Sequence, residues 1–149
     1  MKKICTLILF SLLLADLFAQ KETLDLIAYT PPAGWKKEVT ENITKYIITN
    51  IKNNSWCQVG IIKSTISKGN IDKDFESEWQ DLVVKNFKPA DAPKLNEVHE
   101  SDGWKIKEGV VKFKFNNADA MAMLTTISGF ERCASIVVTT NSQDYLKDI

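Results

Sequence analysis

The chain has 149 residues, with 19 basic and 19 acidic side chains, three cysteines and one histidine, so its formal net charge is zero. Hydrophobic residues make up 44% and charged residues 26%, which is the composition of an ordinary globular protein. This excludes a disordered acidic tail, a collagen-like repeat and a cysteine-rich miniprotein. The neutral balance also argues against nucleic acid as a partner, because phosphates require a basic face. One domain is expected at this length.

The N-terminus predicts a cleavable signal peptide. Two lysines precede the uncharged run 4–15, and the small residue Ala19 follows it. The run is shorter than the roughly 20 residues of a spanning helix, and Asp16 interrupts it, so no stable membrane anchor is expected. Cys5 precedes most of the run, which excludes a lipoprotein anchor. We therefore expect export to the periplasm or the medium, a signal peptide over 1–19 and a single domain over 20–149.

The first half of the mature chain predicts β structure. An apolar stretch at 24–29 stops at the turn 30–35, where two prolines fix the backbone. Residues 45–51 and 56–62 are rich in β-branched side chains. The asparagines of segment 52–55 tolerate positive φ, so we expect a β-hairpin here.

Residues 72–88 predict an amphipathic helix. Its apolar side chains recur at the spacing of one helix face, at Phe75, Trp79, Leu82, Val83 and Phe87. Acidic residues crowd the first turns, where the helix dipole favours them, and Pro89 ends the pattern. We expect Trp79 to lie in the core.

The second half predicts a loop followed by a three-stranded meander. Residues 89–103 lack a sustained period and are expected to form a mobile surface loop. Strands are expected at 104–115, 119–127 and 132–140. In the first of these the apolar residues change parity at Glu108–Gly109, which predicts a β-bulge.

A final helix is expected to begin after a cap at Asn141 or Ser142. It ends at Ile149 after barely two turns, so it must dock tightly or belong to a longer chain. Together these elements predict the α+β class: an antiparallel β-sheet with a central amphipathic helix and a C-terminal helix packed on it.

The element order, with the turn Pro32-Ala33-Gly34-Trp35 after the first strand, resembles the PsbP-like superfamily. This group contains a photosystem II accessory protein, a Ran-binding nuclear protein and many bacterial secreted domains. The resemblance covers nearly the whole mature chain, although the short C-terminus departs from the pattern. It implies a non-catalytic binding or assembly module. No photosystem-binding or Ran-contacting residue carries over, because no matching motif is present.

The sequence offers little for catalysis, metal binding or cofactors. His99 is the one histidine, and its neighbours Ser101 and Asp102 rarely converge as a triad within one loop. The segment 97–102 offers oxygen and imidazole ligands, but zinc sites usually recruit more histidine or cysteine on rigid elements. We therefore expect no catalytic residues, no metal site and no cofactor, with His99 in a solvated loop.

Two pairs of residues are candidates for other roles. Cys57 and Cys133 lie in predicted strands and would form a disulfide in an oxidising compartment if the strands are neighbours; otherwise they are buried small hydrophobes. Trp35 and Trp104 each follow a glycine at the start of a strand. They are candidates for a recognition surface, together with His99, and core packing is the alternative for both tryptophans.

These expectations lead to an exported, non-catalytic module that contacts an envelope or extracellular protein. One alternative is a carrier of a small apolar ligand, with Trp35, Trp104 and the 89–103 loop around a cleft. Another is a hydrolase that uses His99.

Overall fold

The computed structural model describes residues 21–149, so the predicted signal peptide, its cleavage site after Ala19 and Cys5 lie outside the described residues. The strands are β1 (Glu22–Leu24), β2 (Ile27–Tyr29), β3 (Lys36–Val39), β4 (Ile43–Asn50), β5 (Ser55–Ile66), β6 (Lys94–Leu95), β7 (His99–Ser101), β8 (Trp104–Phe115), β9 (Ala118–Gly129) and β10 (Arg132–Thr140). The helices are α1 (Ile71–Glu78), a π-helical segment (Trp79–Val84), α2 (Lys85–Phe87) and a 3-10 helix (Gln143–Asp148). Within this part of the chain, no helix is both long and apolar enough to cross a bilayer.

The fold is built on an antiparallel sheet with strand order β3-β4-β5-β10-β9-β8-β6, and β7 also pairs with β8. The predicted hairpin is confirmed: β4 and β5 pair from Ile43↔Ile62 to Asn50↔Ser55. The predicted meander of β8, β9 and β10 is also confirmed, with two-residue turns at 116–117 and 130–131. Strands β1 and β2 form a separate small hairpin, where the sequence predicted one apolar stretch.

The sheet is buried on both faces. The first face lies under the helix, and its core consists of Phe75, Trp79, Val83, Val111, Phe113, Ala120, Ala122 and Leu124. The second face is covered by the β1–β2 hairpin, the proline turn and the 3-10 helix, and its core consists of Ile27, Trp35, Tyr46, Cys57, Val59, Ile61, Ala134 and Val138. Neighbouring residues of one strand therefore belong to different cores.

The helical segments run without a break from residue 71 to residue 87, close to the predicted 72–88. Four aromatic or aliphatic side chains in this stretch are spaced by four residues, at Phe75, Trp79, Val83 and Phe87. In a pure α-helix this spacing drifts about 40° per step, or roughly 120° over the three steps. The wider π turn takes up that drift, and all four side chains pack in the first core.

The predicted bulge at Glu108–Gly109 is wrong. Strands β8 and β9 pair without a register shift from Lys105↔Ser128 to Phe115↔Ala118. The apolar parity changes because the first half of β8 points apolar side chains to the second face and the second half to the first face. Gly109 serves close packing instead, since a Cβ atom there would lie 2.6 Å from Phe75 Cζ.

Two further predictions need correction. The predicted loop 89–103 contains β6 and β7, each paired with β8, although its residues remain largely exposed. The predicted C-terminal α-helix is a 3-10 helix, capped by the Ser142 side chain as expected. A short segment held by docked side chains does not need α-helical hydrogen bonding: Leu146 packs on the second core, and the Tyr145 hydroxyl lies 2.7 Å from the Ser55 hydroxyl.

The close approach at Gly109 gives a test of the first core. Gly109→Ala places a methyl group against Phe75 and Trp79, so we expect the free energy of unfolding to fall by about 1–3 kcal/mol. The matched control is Lys112→Ala on the same strand, at an exposed position where about 0.5 kcal/mol or less is expected. Urea unfolding followed by circular dichroism measures both; equal midpoints for G109A and the wild type would contradict this packing.

Candidate functional site

The structure separates the two tryptophans that the sequence singled out. Trp35 is only 9% exposed, belongs to the second core and packs edge-on against Tyr145, with ring centroids 6.0 Å apart. It is a core residue. Trp104 is half-buried and packs against Phe130, with ring centroids 5.2 Å apart and an interplanar angle of 64°.

Phe130 is an exposed aromatic residue between the strands that the sequence predicted at 119–127 and 132–140. It is 68% exposed at the tip of the β9–β10 hairpin. Two glycines let the aromatic pair form: a Cβ atom at Gly103 would lie 2.9 Å from Phe130 Cζ, and one at Gly129 would lie 2.9 Å from Trp104 Cε3. The sequence signal for this contact is a glycine before Trp104 and another before Phe130.

Two more exposed apolar side chains lie at the same end of the sheet. Ile66 is 78% exposed and lines a hollow of about 590 Å³ together with Phe130. Leu26 is 48% exposed and lines a second hollow of about 320 Å³ together with Trp104. We call these four residues, Leu26, Ile66, Trp104 and Phe130, the aromatic end of the sheet.

The turn at the aromatic end has an energetically unfavourable backbone conformation. Phe130 and Glu131 have φ values of 51° and 61°, in the left-handed region that two-residue hairpin turns require. The opposite end of β9 has the same geometry at Asn116 and Asn117, with φ values of 50° and 63°. Asparagine tolerates this conformation, whereas a bulky aromatic residue rarely adopts it.

His99 lies on the exposed strand β7, opposite Ile106 of β8. The Ser101 hydroxyl donates to the Asp102 carboxylate at 3.1 Å. A catalytic triad would need the imidazole between these two groups, and the structure instead joins them directly. Among the described residues, no group of three or more histidine, cysteine, aspartate or glutamate side chains is arranged to hold a metal ion.

Of the two roles that the sequence left open for Cys57 and Cys133, the structure excludes a disulfide between them. Their strands are neighbours, but Cys57 lies opposite Thr140 and Cys133 opposite Thr65, at the two ends of the β5–β10 pair. Eight residues of strand separate the two positions, or about 26 Å, against the limit of about 7 Å for a disulfide. Both cysteines are buried.

Beneath the start of the helix lies a buried polar cluster that the sequence did not reveal. Asp74 is 1% exposed and accepts hydrogen bonds from the Ser67 hydroxyl at 2.6 Å, the Ser128 hydroxyl and the Lys68 backbone N–H. The sequence analysis assigned Asp74 only to the helix dipole. Its bonds fasten α1 and the preceding loop to β9.

The same region favours the protonated form of Cys133. Burial, and then the nearby carboxylates of Glu78 and Asp74, raise the pKa of the Cys133 thiol to about 12. Burial likewise raises the pKa of Glu78 above its ordinary value, with the charges of Asp81 and Asp74 adding to the effect. Because the thiolate is the nucleophile, this shift weakens Cys133 as a nucleophile at neutral pH.

A larger concave feature lies on the second face of the sheet, and we call it the apolar cleft. It has a volume of about 860 Å³. Its floor is formed by side chains of three strands, Val59, Ile61, Met123, Ile136 and Val138. One wall is the segment 29–33 with its two prolines, and the other is the 3-10 helix with Leu146 and Lys147. Neither Trp35, Trp104 nor the 89–103 loop lines it, contrary to the carrier expectation.

A carboxylate ties one wall of the cleft to the sheet. Glu22 Oε2 accepts hydrogen bonds from the hydroxyls of Tyr29 at 2.8 Å and Tyr46 at 2.9 Å, and from Lys37 Nζ. The Lys37 ammonium, followed by the two hydroxyls, holds the pKa of Glu22 below its ordinary value. Burial, and then hydrogen bonding, raises the pKa of Tyr29, so both tyrosines remain neutral donors.

No known protein family matches this chain, and no curated protein sequence matches it. Among solved structures it is similar to the crystal structure of PA94 from Pseudomonas aeruginosa, a protein of unknown function. The TM-score is 0.43, the sequence identity is 13%, and the alignment covers 87% of each chain. No function follows from this likeness.

The Glu22 contacts predict a pH-dependent stability. Folding lowers the pKa of Glu22 from its ordinary value of 4.5. The ionised carboxylate therefore stabilises the fold fully above pH 4.5, and this stabilisation is lost as the pH falls through the lowered pKa. We expect Glu22→Gln to lower the free energy of unfolding by about 1 kcal/mol at pH 7, since the carboxylate is partly exposed. At pH 3 the mutant and the wild type should differ little.

The control for this experiment is Glu38→Gln, which removes an exposed pairing with Lys36 on the edge strand. We expect it to leave the unfolding curve unchanged at either pH, because the pair is exposed to solvent. Urea unfolding curves at pH 7 and pH 3 measure both variants. A Glu22→Gln effect that persists undiminished at pH 3 would show that the ionised carboxylate is not the source.

Proposed function

We propose that this protein is an exported, non-catalytic binding module of the PsbP-like type, which holds a protein partner at the aromatic end of its sheet. The single observation that supports this most is the Phe130–Glu131 turn. The predicted signal peptide supports export, and the Pro32–Trp35 turn before a strand supports the family assignment.

The two hairpin turns of β9 allow an internal comparison. Both have the same backbone conformation, yet one has two asparagines and the other a phenylalanine and a glutamate. Asparagine would close the second turn at a lower cost in free energy, so the side chains at 130 and 131 serve something other than the turn. An exposed aromatic held in a strained turn is the type of feature that accumulates at binding surfaces.

The packing around Phe130 supports the same conclusion. Trp104 restrains one side of the ring, and Gly103 admits the ring edge, so little side-chain entropy remains to be lost on binding. Rigid aromatic anchors of this kind dominate the energetics of protein interfaces. Ile66 and Leu26 extend the apolar area on either side of the pair.

Site-specific photo-cross-linking tests the proposed surface. A photoreactive phenylalanine analogue at position 130 should give a discrete covalent adduct with one protein of the source cell's envelope fraction. The matched control places the same analogue at position 117, in the turn at the other end of β9, and should give none. Equal adducts at both positions, or none at position 130, would contradict an interface at the aromatic end.

Removal of the Phe130 side chain should also weaken binding to the protein that is cross-linked at position 130. In Phe130→Asn the turn receives a residue that favours its conformation, so the fold is expected to persist. Binding to the cross-linked partner should weaken by at least about tenfold, as for an interface hot spot. Unchanged affinity in surface plasmon resonance would count against Phe130 as the anchor.

Export makes a separate prediction. The protein recovered from the periplasm or the medium should begin at Gln20, as measured by intact mass and N-terminal sequencing. Ala19→Arg should block processing, because the position before the cleavage site requires a small residue. An exported protein that still begins at Met1 would contradict the assignment of a cleavable signal.

The apolar cleft favours a second candidate function, the binding of a small apolar ligand. Its volume of about 860 Å³ lies within the range of small-molecule pockets, roughly 300–1,000 Å³. The residues that line it differ from those the sequence analysis expected, but their chemistry is that of an apolar carrier.

A further inference from the structure

We propose that the apolar cleft binds one free long-chain carboxylate, with the hydrocarbon chain on the sheet and the carboxylate at Lys147. This inference names the ligand class of the carrier function and rests on that function. It does not depend on the partner proposed for the aromatic end.

The floor of the cleft fits a flexible hydrocarbon chain. Met123 and Ile136 pack against the second core but remain half-exposed, so their apolar surface faces the cleft. Methionine adapts its shape to a ligand at little cost. Each methylene group that a ligand buries here contributes about 0.8 kcal/mol.

Two fixed elements border the cleft. Pro31 and Pro32 form a rigid border on one side, because their rings fix the backbone. On the other side Leu146 is anchored in the second core, and its neighbour Tyr145 contacts Trp35 and Ser55. These anchored borders make the cleft a preformed site for a ligand that lies on the floor.

The polar groups of the cleft select the head group. Both tyrosine hydroxyls at the wall already donate to Glu22, whose charge is balanced by Lys37. Among the described residues that line the cleft, Lys147 has the one charged side chain. An apolar ligand with an anionic head therefore gains an ion pair, and a neutral or cationic one does not.

Charges of both signs lie around the cleft. Lys112 lies opposite Met121 in the β8–β9 pair, on the second face and beyond the cleft floor. The acidic residue of β9, Asp119, is paired with Lys114 at 2.7 Å. Asp144 lies in the first turn of the 3-10 helix, where its side chain accepts from the Ser142 hydroxyl at 3.2 Å. The preference for an anionic head group therefore rests on Lys147, the charged side chain that lines the cleft itself.

Competition binding with the purified, delipidated protein tests the inference. The probe is cis-parinaric acid, a fluorescent long-chain carboxylate, and the competitors are palmitic acid and methyl palmitate. We expect the probe to bind and palmitic acid to displace it at an at least about tenfold lower concentration than the ester, because only the acid pairs with Lys147. In Lys147→Glu the advantage of the acid should disappear. The matched control, Lys52→Glu in the β4–β5 turn, should retain it.

The outcomes separate the two levels of the proposal. Equal competition by acid and ester in the wild type, or an unchanged preference in Lys147→Glu, overturns the carboxylate assignment while the carrier function stands. Failure of the probe and of both competitors to bind overturns both. Both are also overturned if a second copy of the chain fills the cleft and excludes the probe, in which case light scattering would show a dimer. Binding to phosphatidylglycerol vesicles without binding of the free acid overturns the assignment of a single free chain.

Discussion

A sheet with two apolar faces is the constraint on which the rest of the structure depends. In strand β9, Ala122 and Leu124 face the helix while Met123 faces the other way. Neither face can be left in water, because burial of each large apolar side chain contributes roughly 1.5–3 kcal/mol. The chain covers the first face with one continuous helix. It covers the second with three short pieces: the β1–β2 hairpin, the proline turn and the 3-10 helix.

The first face of the sheet is packed more closely than the second, and this difference explains where the apolar cleft lies. The helix is closely packed, to the extent that Gly109 has no room for a side chain beneath Phe75. The proline turn and the 3-10 helix touch through Trp35 and Tyr145, and the apolar cleft is the gap that remains between segment 29–33 and the 3-10 helix. Their attachment relies on polar contacts at the rim, of which the three bonds to Glu22 are the most concentrated. The aromatic end has a different origin, since it lies where strands meet turns: Ile66 ends β5, Trp104 begins β8, and Leu26 and Phe130 lie in the β1–β2 and β9–β10 turns.

The sequence predicted those elements whose signal is local. The asparagine-rich turn between β4 and β5, and the strand from Arg132 to Thr140, could be assigned because turn chemistry and β-branched runs are properties of neighbouring residues. The errors concern long-range relations. The parity change at Gly109 predicted a bulge, whereas β8 directs its apolar side chains first to one covered face and then to the other without a register shift. The distance between Cys57 and Cys133 depends on the β5–β10 register, which no local pattern encodes. No local pattern encodes the contact between Phe130 and Trp104 either, because these residues are far apart in the sequence.

The π-helical segment also constrains how this chain can vary in length. A spacing of four residues stays on one side of the helix only because the turn at Trp79–Val84 is wider than an α turn. Loss of one residue there would let the segment close as an α-helix, in which 11 residues at about 100° each bring Phe87 back to within about 20° of the Phe75 direction. Gain of one residue would instead rotate everything downstream by about 100° and carry Phe87 away from Phe113. The connection after Lys88 is not bound in this way, since exposed residues there precede β6. Natural variants should therefore differ in length mainly between the helix and β6, and within the helix only by loss of the residue that widens the π turn.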